Sequence, residues 1–136
     1  EPMLVGIKSG RMTDVLRGFM KAEYLAQGPG LRAVQARMQE MAEAIGPAIF
    51  IKQLKALQRR RDQQAVLRKC KVPALVICGA QDGLTPPKRH EFMAELIPYA
   101  KLEIIAEAGH VPPLETPERV NQLLSEWLTQ PYVLRG

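Results

Sequence analysis

Cysteine, serine, histidine and aromatic residues are all scarce in this sequence. Two cysteines, Cys70 and Cys78, in 136 residues supply no disulfide framework and no metal-ligand spacing. A reducing, cytoplasmic setting is the default that follows, and Cys78, inside an apolar run, reads as a small buried residue. Ser9 and Ser125 are the only serines, and His90 and His110 the only histidines, so candidates for nucleophile and base are few. Aromatics make up 5% of the chain, and no stacking platform accompanies the densest basic cluster, Arg59-Arg60-Arg61, which disfavours nucleic acid as a partner. No apolar run approaches the ~20 residues that span a bilayer, so no membrane partner is expected. A signal-peptide pattern is also missing. The opening Glu1-Pro2, in place of a methionine, points to a start lying upstream.

Charge is uneven. Residues 1–68 carry 12 Lys and Arg against 6 Asp and Glu, whereas residues 69–136 carry 7 against 8. The first stretch contains no convincing strand. Thr13-Asp14 reads as an N-cap, with Val15, Leu16, Phe19, Met20 and Tyr24 following at helical spacing. Gly28-Pro29-Gly30 breaks that helix. Leu31, Val34, Met38, Met41 and Ile45 then form one apolar stripe until Gly46-Pro47. Ile49, Phe50, Leu54 and Leu57 mark a third helix, whose end carries the arginine triplet where cations suit the dipole. Met3, Met12, Met20, Met38 and Met41 read first as adaptable core filling, and alternatively as the pliable wall of a pocket.

The remainder has a different rhythm. Ala74-Leu75-Val76-Ile77-Cys78 is an uninterrupted apolar run of the kind buried on both faces of a parallel sheet, and Gly79 ends it. Thr85-Pro86 reads as an N-cap followed by proline at the first helical position. Phe92, Met93, Leu96 and Ile97 supply a buried face before Pro98 stops the helix, and Leu102 to Ile105 is the next strand. Strand, helix, strand at this length is a parallel βαβ unit. Thr116-Pro117 repeats the capping device ahead of a last helix with Val120, Leu123, Leu124, Trp127 and Leu128 on one face, and the tail Tyr132–Gly136 reads as loosely held. Two parallel strands are too few for a sheet that stands alone. The chain is therefore expected to be the C-terminal part of a larger α/β fold, with a helical segment at 1–68 and a core segment at 69–136.

Reactive groups in open α/β sheets collect beyond the carboxyl ends of the strands. Each predicted strand here delivers one titratable residue to that place, Asp82 in Gly79-Ala80-Gln81-Asp82 and His110 in Ala108-Gly109-His110. Neighbouring parallel strands lie about 4.8 Å apart, close enough for loops leaving them to join a carboxylate to an imidazole. Such a carboxylate would set the tautomer and stabilise the imidazolium, leaving the other nitrogen as general base. Alone, an aspartate after a strand is commonly a cap or turn residue, and a lone histidine is commonly structural. His90, near the start of the crossover helix, reads as surface or packing away from the strand ends. Glu115 reads as an acceptor of backbone N–H groups, and Gly109 as the residue that permits a tight turn before His110.

At these residues the sequence resembles the α/β-hydrolase family. VPALVICGAQDGLTPP is similar to the family's acid-bearing strand and loop, and LEIIAEAGHVPPLETPERVNQLLSEWL to its last strand, histidine loop and closing helix. The resemblance is close over 66–130, and residues 1–65 more loosely resemble the helical cap that the family inserts before the acid strand. It implies a partial α/β-hydrolase fold in which Asp82 and His110 are catalytic, acting without a cofactor or metal on a small ester or a related acyl or C–C bond. The family's chain order, nucleophile then acid then histidine, agrees. The G-x-S-x-G elbow and the oxyanion-hole segment are absent from these 136 residues. The resemblance leaves open whether the nucleophile is serine or aspartate. It implies a missing N-terminal half, or a second copy of the chain, as partner, and a chain inactive by itself. A non-catalytic interaction or self-associating module built on the same fold is the alternative.

Overall fold

The computed structural model describes residues 5–7 and 10–131. Met3, Ser9 and the tail 132–136 lie outside the described residues, as does the side chain of Phe19. The chain divides into two units, one of Glu1–Ala22 with Gly28–Asp62, the other of Glu23–Gln27 with Gln63–Gly136. Among the described residues no helix is long and apolar enough to cross a membrane.

The first unit is helical. Helix α1 spans Met12–Phe19, α2 Leu31–Ile45 and α3 Pro47–Arg59. Thr13 and Asp14 do not cap α1; Arg11 flanks it, and both residues sit in the first turn, where Asp14 suits the positive end of the helix. Between α2 and α3 the chain turns at Gly46 (φ +80°), a conformation that residues with a Cβ rarely adopt. Pro47 then opens α3 at a position that needs no donor. The predicted stripe on α2 is displaced. Val34 and Ala42 are buried, whereas Met41 and Ile45 stand exposed, because the face that packs runs through the smaller Ala42. On α3 only Leu54 is buried, with Ile49 and Leu57 exposed.

The second unit holds the sheet. A 3-10 turn, Ala22–Tyr24, leads into residues 25–27, and the chain returns at α4, Gln64–Arg68. Tyr24 was expected on α1, but that helix closes at Met20, whose N–H bonds the Leu16 carbonyl. Strand β1 (Ala74–Gly79) pairs in parallel with β2 (Ala100–Ile105), Ala74 opposite Ala100 through Gly79 opposite Ile105. The crossover helix α5 is Pro87–Leu96, and α6 (Pro112–Glu115) and α7 (Pro117–Thr129) follow β2. The short helices α4 and α6 carry no apolar periodicity that the sequence could declare. β2 starts earlier than expected, at Ala100.

Alternation along β1 assigns the two sheet faces. Leu75 and Ile77 pack with Ile105, Ala108, Val120 and Leu123 beneath α7. Burying a side chain of the size of Val120 or Leu123 is worth about 1.5–3 kcal/mol. Glu103, opposite Ile77 on that face, pairs with Arg119 of α7 at 3.6 Å. Val76 and Cys78 point the other way, where α5 brings His90 to Cys78. Coverage is thin. Ile104 (43%) and Phe92 (49%) are exposed although the apolar patterns predicted burial. Phe92 falls at the edge of the face set by Met93, Leu96 and Ile97, and the two strands among the described residues give α5 too narrow a platform to shield it.

Candidate active site

The loops after β1 and β2 leave the sheet at one level, since Gly79 and Ile105 are partners in register. They are then tied together. Ala80 N–H bonds the Ile105 carbonyl at 2.9 Å, and Gln81 N–H bonds that of Ala108 at 2.9 Å. Asp82 and His110, 28 residues apart in sequence, consequently meet. The Nδ1 of His110 lies 3.1 Å from each carboxylate oxygen of Asp82. The Asp82 side chain is 4% exposed and that of His110 29%.

Asp82 is held from its own loop as well. Its Oδ1 accepts the N–H groups of Leu84 (3.0 Å) and Thr85 (2.9 Å), and its Oδ2 accepts the Thr85 hydroxyl (3.0 Å). This capture moves Thr85 off the cap position predicted for it, so α5 begins at Pro87 with Pro86 flanking it. Burial pushes the Asp82 pKa up. The Thr85 N–H, the His110 ring, the Leu84 N–H and the Thr85 hydroxyl together outweigh it and hold the carboxyl below its ordinary value. Facing an ionised carboxylate, Nδ1 of a neutral His110 is the nitrogen that carries the proton. Nε2, which has no partner among the described residues, is left with its lone pair.

The histidine loop is fixed by a segment from far upstream. The His110 N–H bonds the Tyr24 carbonyl at 2.8 Å. Glu115 accepts the N–H groups of Gly109 (3.0 Å), Val111 (2.8 Å) and Ala26. Gln81 accepts the Gln27 N–H at 2.9 Å and donates to the Ala106 carbonyl at 3.0 Å. Glu115 thus has the backbone-accepting place expected of it. Gly109 differs from expectation. Its φ is not positive; a Cβ there would sit 2.6 Å from Ala26 N and from the carbonyl carbon of Leu25. The glycine admits the passing 23–27 backbone rather than a turn, and at Gly83 a Cβ would meet the Glu23 carbonyl at 2.5 Å. Thr85, read in the sequence as a helix cap, and residues 23–27 were not singled out there as parts of the site. The Asp-x-x-Thr spacing of an Asx-turn could have marked Thr85.

His90 also differs from expectation. One turn into α5, its ring reaches the strand end, and its nitrogen, the Cys78 sulfur and an Asp82 oxygen lie within 4.8 Å of one another. Among the described residues these are the groups placed to share a cation. They are poorly prepared for one. Burial, then the charges of Asp82 and Glu91, push the Cys78 thiol up to about 11, so it stays protonated and donates to the Gly79 carbonyl at 3.2 Å. The Asp82 oxygens are already committed to the loop and to His110. Ser125 lies exposed on α7, the helix predicted for it.

Comparison with known proteins shows the family of the fold. The sequence profile of the family described as alpha/beta hydrolase fold matches residues 6–117. The mouse (Mus musculus) protein called Protein ABHD8 is 30% identical over 114 residues, 81% of this chain and 25% of that one. Bifunctional epoxide hydrolase 2 of the rat (Rattus norvegicus) is 37% identical over 65 residues, 48% of this chain and 12% of the relative. Among solved structures, a thermophilic esterase from Thermogutta terrifontis, studied with malate bound, superposes with a TM-score of 0.83 at 27% identity. The superposition covers 93% of this chain and 47% of the esterase. This chain thus spans a quarter or less of those two curated relatives and about half of that esterase.

Proposed function

Because the chain belongs to the α/β-hydrolase fold family, we propose that Asp82 and His110 are the acid and base of a hydrolase whose nucleophile lies in polypeptide beyond these 136 residues. One observation carries the reading: Nδ1 of His110 sits 3.1 Å from both Asp82 oxygens, at the carboxyl ends of adjacent parallel strands, while Nε2 is unpartnered among the described residues. Nε2 would take the proton of an attacking hydroxyl, or of a water that attacks a covalent intermediate. Asp82 would hold the ring and stabilise the imidazolium so formed. Residues 1–68 would serve as the cap over the pocket. The substrate class is a small ester or related acyl compound, consistent with the name of the esterase that superposes on this chain. The epoxide hydrolase similarity keeps an aspartate nucleophile open beside serine.

The test is hydrolysis of p-nitrophenyl acetate by a longer polypeptide that joins this chain to a strand-elbow-helix segment. His110→Ala there should lower kcat by about 10²–10⁴-fold. The 136-residue chain alone should show no turnover above background, and turnover by it that His110→Ala abolishes would overturn the assignment of the nucleophile elsewhere.

The second reading, an interaction module, draws on the sheet. Among the described residues both strands are edges, and Ile104 and Phe92 are exposed beside them. A partner or a second copy of the chain would add strands and cover these side chains. A monomeric mass in size-exclusion chromatography with light scattering counts against self-association.

A further inference from the structure

The helical unit contains a cavity of about 410 Å³ that the hydrolase reading does not use. Its volume lies within the range of roughly 300–1,000 Å³ typical of small-molecule sites. One wall is the end of α1, with Leu16, Arg17 and Met20; the other is the face of α2 made by Arg32, Gln35 and Ala36. The floor is apolar, since Leu16 is 2% exposed and Met20 is half-buried beside it. The rim is cationic. Arg17, Lys21 and Arg32 line it, and among the described residues no carboxylate does. The acids nearest in sequence on α2 face other groups, Glu40 toward Arg37 at 3.1 Å and Glu43 toward the Gln39 amide at 2.8 Å. Neither the Arg17 nor the Arg32 side chain has an ion pair or hydrogen bond to a described residue.

We propose that this cavity binds a small organic anion with an apolar body, of which a medium-chain carboxylate is the simplest case. A guanidinium matches a carboxylate in charge and in planar, two-pronged geometry, and Arg17 and Arg32, lining one cavity, would share one head group. Leu16, Met20 and Ala36 receive the body, and the Gln35 amide donates a further hydrogen bond from the rim. An inorganic anion would leave the floor wet, and a neutral alcohol would leave the arginines unmatched. The site is independent of Asp82 and His110, and its test reads binding, not turnover.

The probe is octanoate, titrated into the full chain by calorimetry and followed by amide chemical shifts, with octanol and acetate as comparators. Octanoate should bind saturably and shift residues of α1 and α2, and acetate and octanol should each bind at least about ten-fold more weakly. Arg17→Gln and Arg32→Gln should each weaken octanoate about ten-fold or more, as expected for losing a charged hydrogen bond. Arg37→Gln is the control, on the same helix but paired with Glu40 and outside the cavity, and it should leave affinity within about two-fold. Both lining arginines are exposed, so the variants should keep the parent circular dichroism. Octanol binding as tightly as octanoate, equal weakening by Arg37→Gln, or no saturation by about 10 mM octanoate would each overturn the proposal.

Discussion

The two units of this chain are held by different kinds of bond. In the helical unit Arg37 bonds Glu40 and Gln39 bonds Glu43, both local and exposed pairs. Exposed pairs at that spacing contribute only about 0.2–0.5 kcal/mol each. The α/β unit is tied by buried or half-buried polar groups distant in sequence, such as Glu115 with Ala26, 89 residues apart, and Asp82 with His110. A buried acceptor with several donors is costly to remove, because each donor loses its partner away from water. The contrast teaches that precision here is concentrated around one loop cluster, while the helices are built to a looser standard.

That contrast can be broken most directly at Asp82. Asp82→Ala orphans the Leu84 and Thr85 N–H groups and frees His110, and should destabilise the α/β unit by about 2–4 kcal/mol in urea unfolding. Met41→Ala, at an exposed helical position, should cost under about 1 kcal/mol. Equal losses would erase the difference between the units. Gly109→Ala drives a methyl into the backbone of Leu25 and Ala26, at an expected cost of about 1–3 kcal/mol. Amide exchange at Ala26 should quicken in this variant, since that N–H depends on Glu115 across the same gap.

Acid should separate the units further. The Asp82 pKa is lowered in the folded chain, so its contribution is complete above the unfolded value of about 3.9 and is lost as pH falls through the lower folded value. Unfolding followed between pH 6 and pH 2 should therefore show α/β-unit stability dropping below about pH 4, and Asp82→Asn should flatten that part of the profile. The smallest expected effect concerns the thiols. Cys78, 1% exposed with its pKa pushed to about 11, should resist iodoacetamide at neutral pH while half-buried Cys70 reacts, as peptide mass mapping would record. Equal labelling would mean that the strand end opens readily.

Much of the architecture was legible. Pro73, Gly79, Pro98 and Pro117 bracket β1, α5 and α7 in the sequence and in the structure. The juxtaposition of Asp82 and His110 followed from two strand-end positions and the spacing of parallel strands. The misses share a cause. Thr13, Thr85 and Tyr24 carry the local signals of caps and helix continuation, but Thr85 is drawn to Asp82 and the Tyr24 carbonyl to the His110 N–H. Local preference amounts to a few tenths of a kcal/mol per residue, and a single tertiary hydrogen bond can reverse it. Phe92, Met41 and Ile45 were misread because periodicity names an apolar face without saying how wide a neighbour covers it.

The sequence by itself determined a basic helical stretch followed by a βαβ stretch, the stops between elements, and the acid and histidine at the two strand ends. These are written in proline, glycine and apolar spacing, which act over a few residues. Only the tertiary structure decided that residues 23–27 run beneath the histidine loop, that Glu115 clamps them, and that His90 reaches Cys78. It also decided that Arg17 and Arg32 line one cavity. The first two arrangements depend on backbone groups meeting partners across long stretches of chain. Backbone groups are the same at every residue, so no local pattern announces which of them will pair.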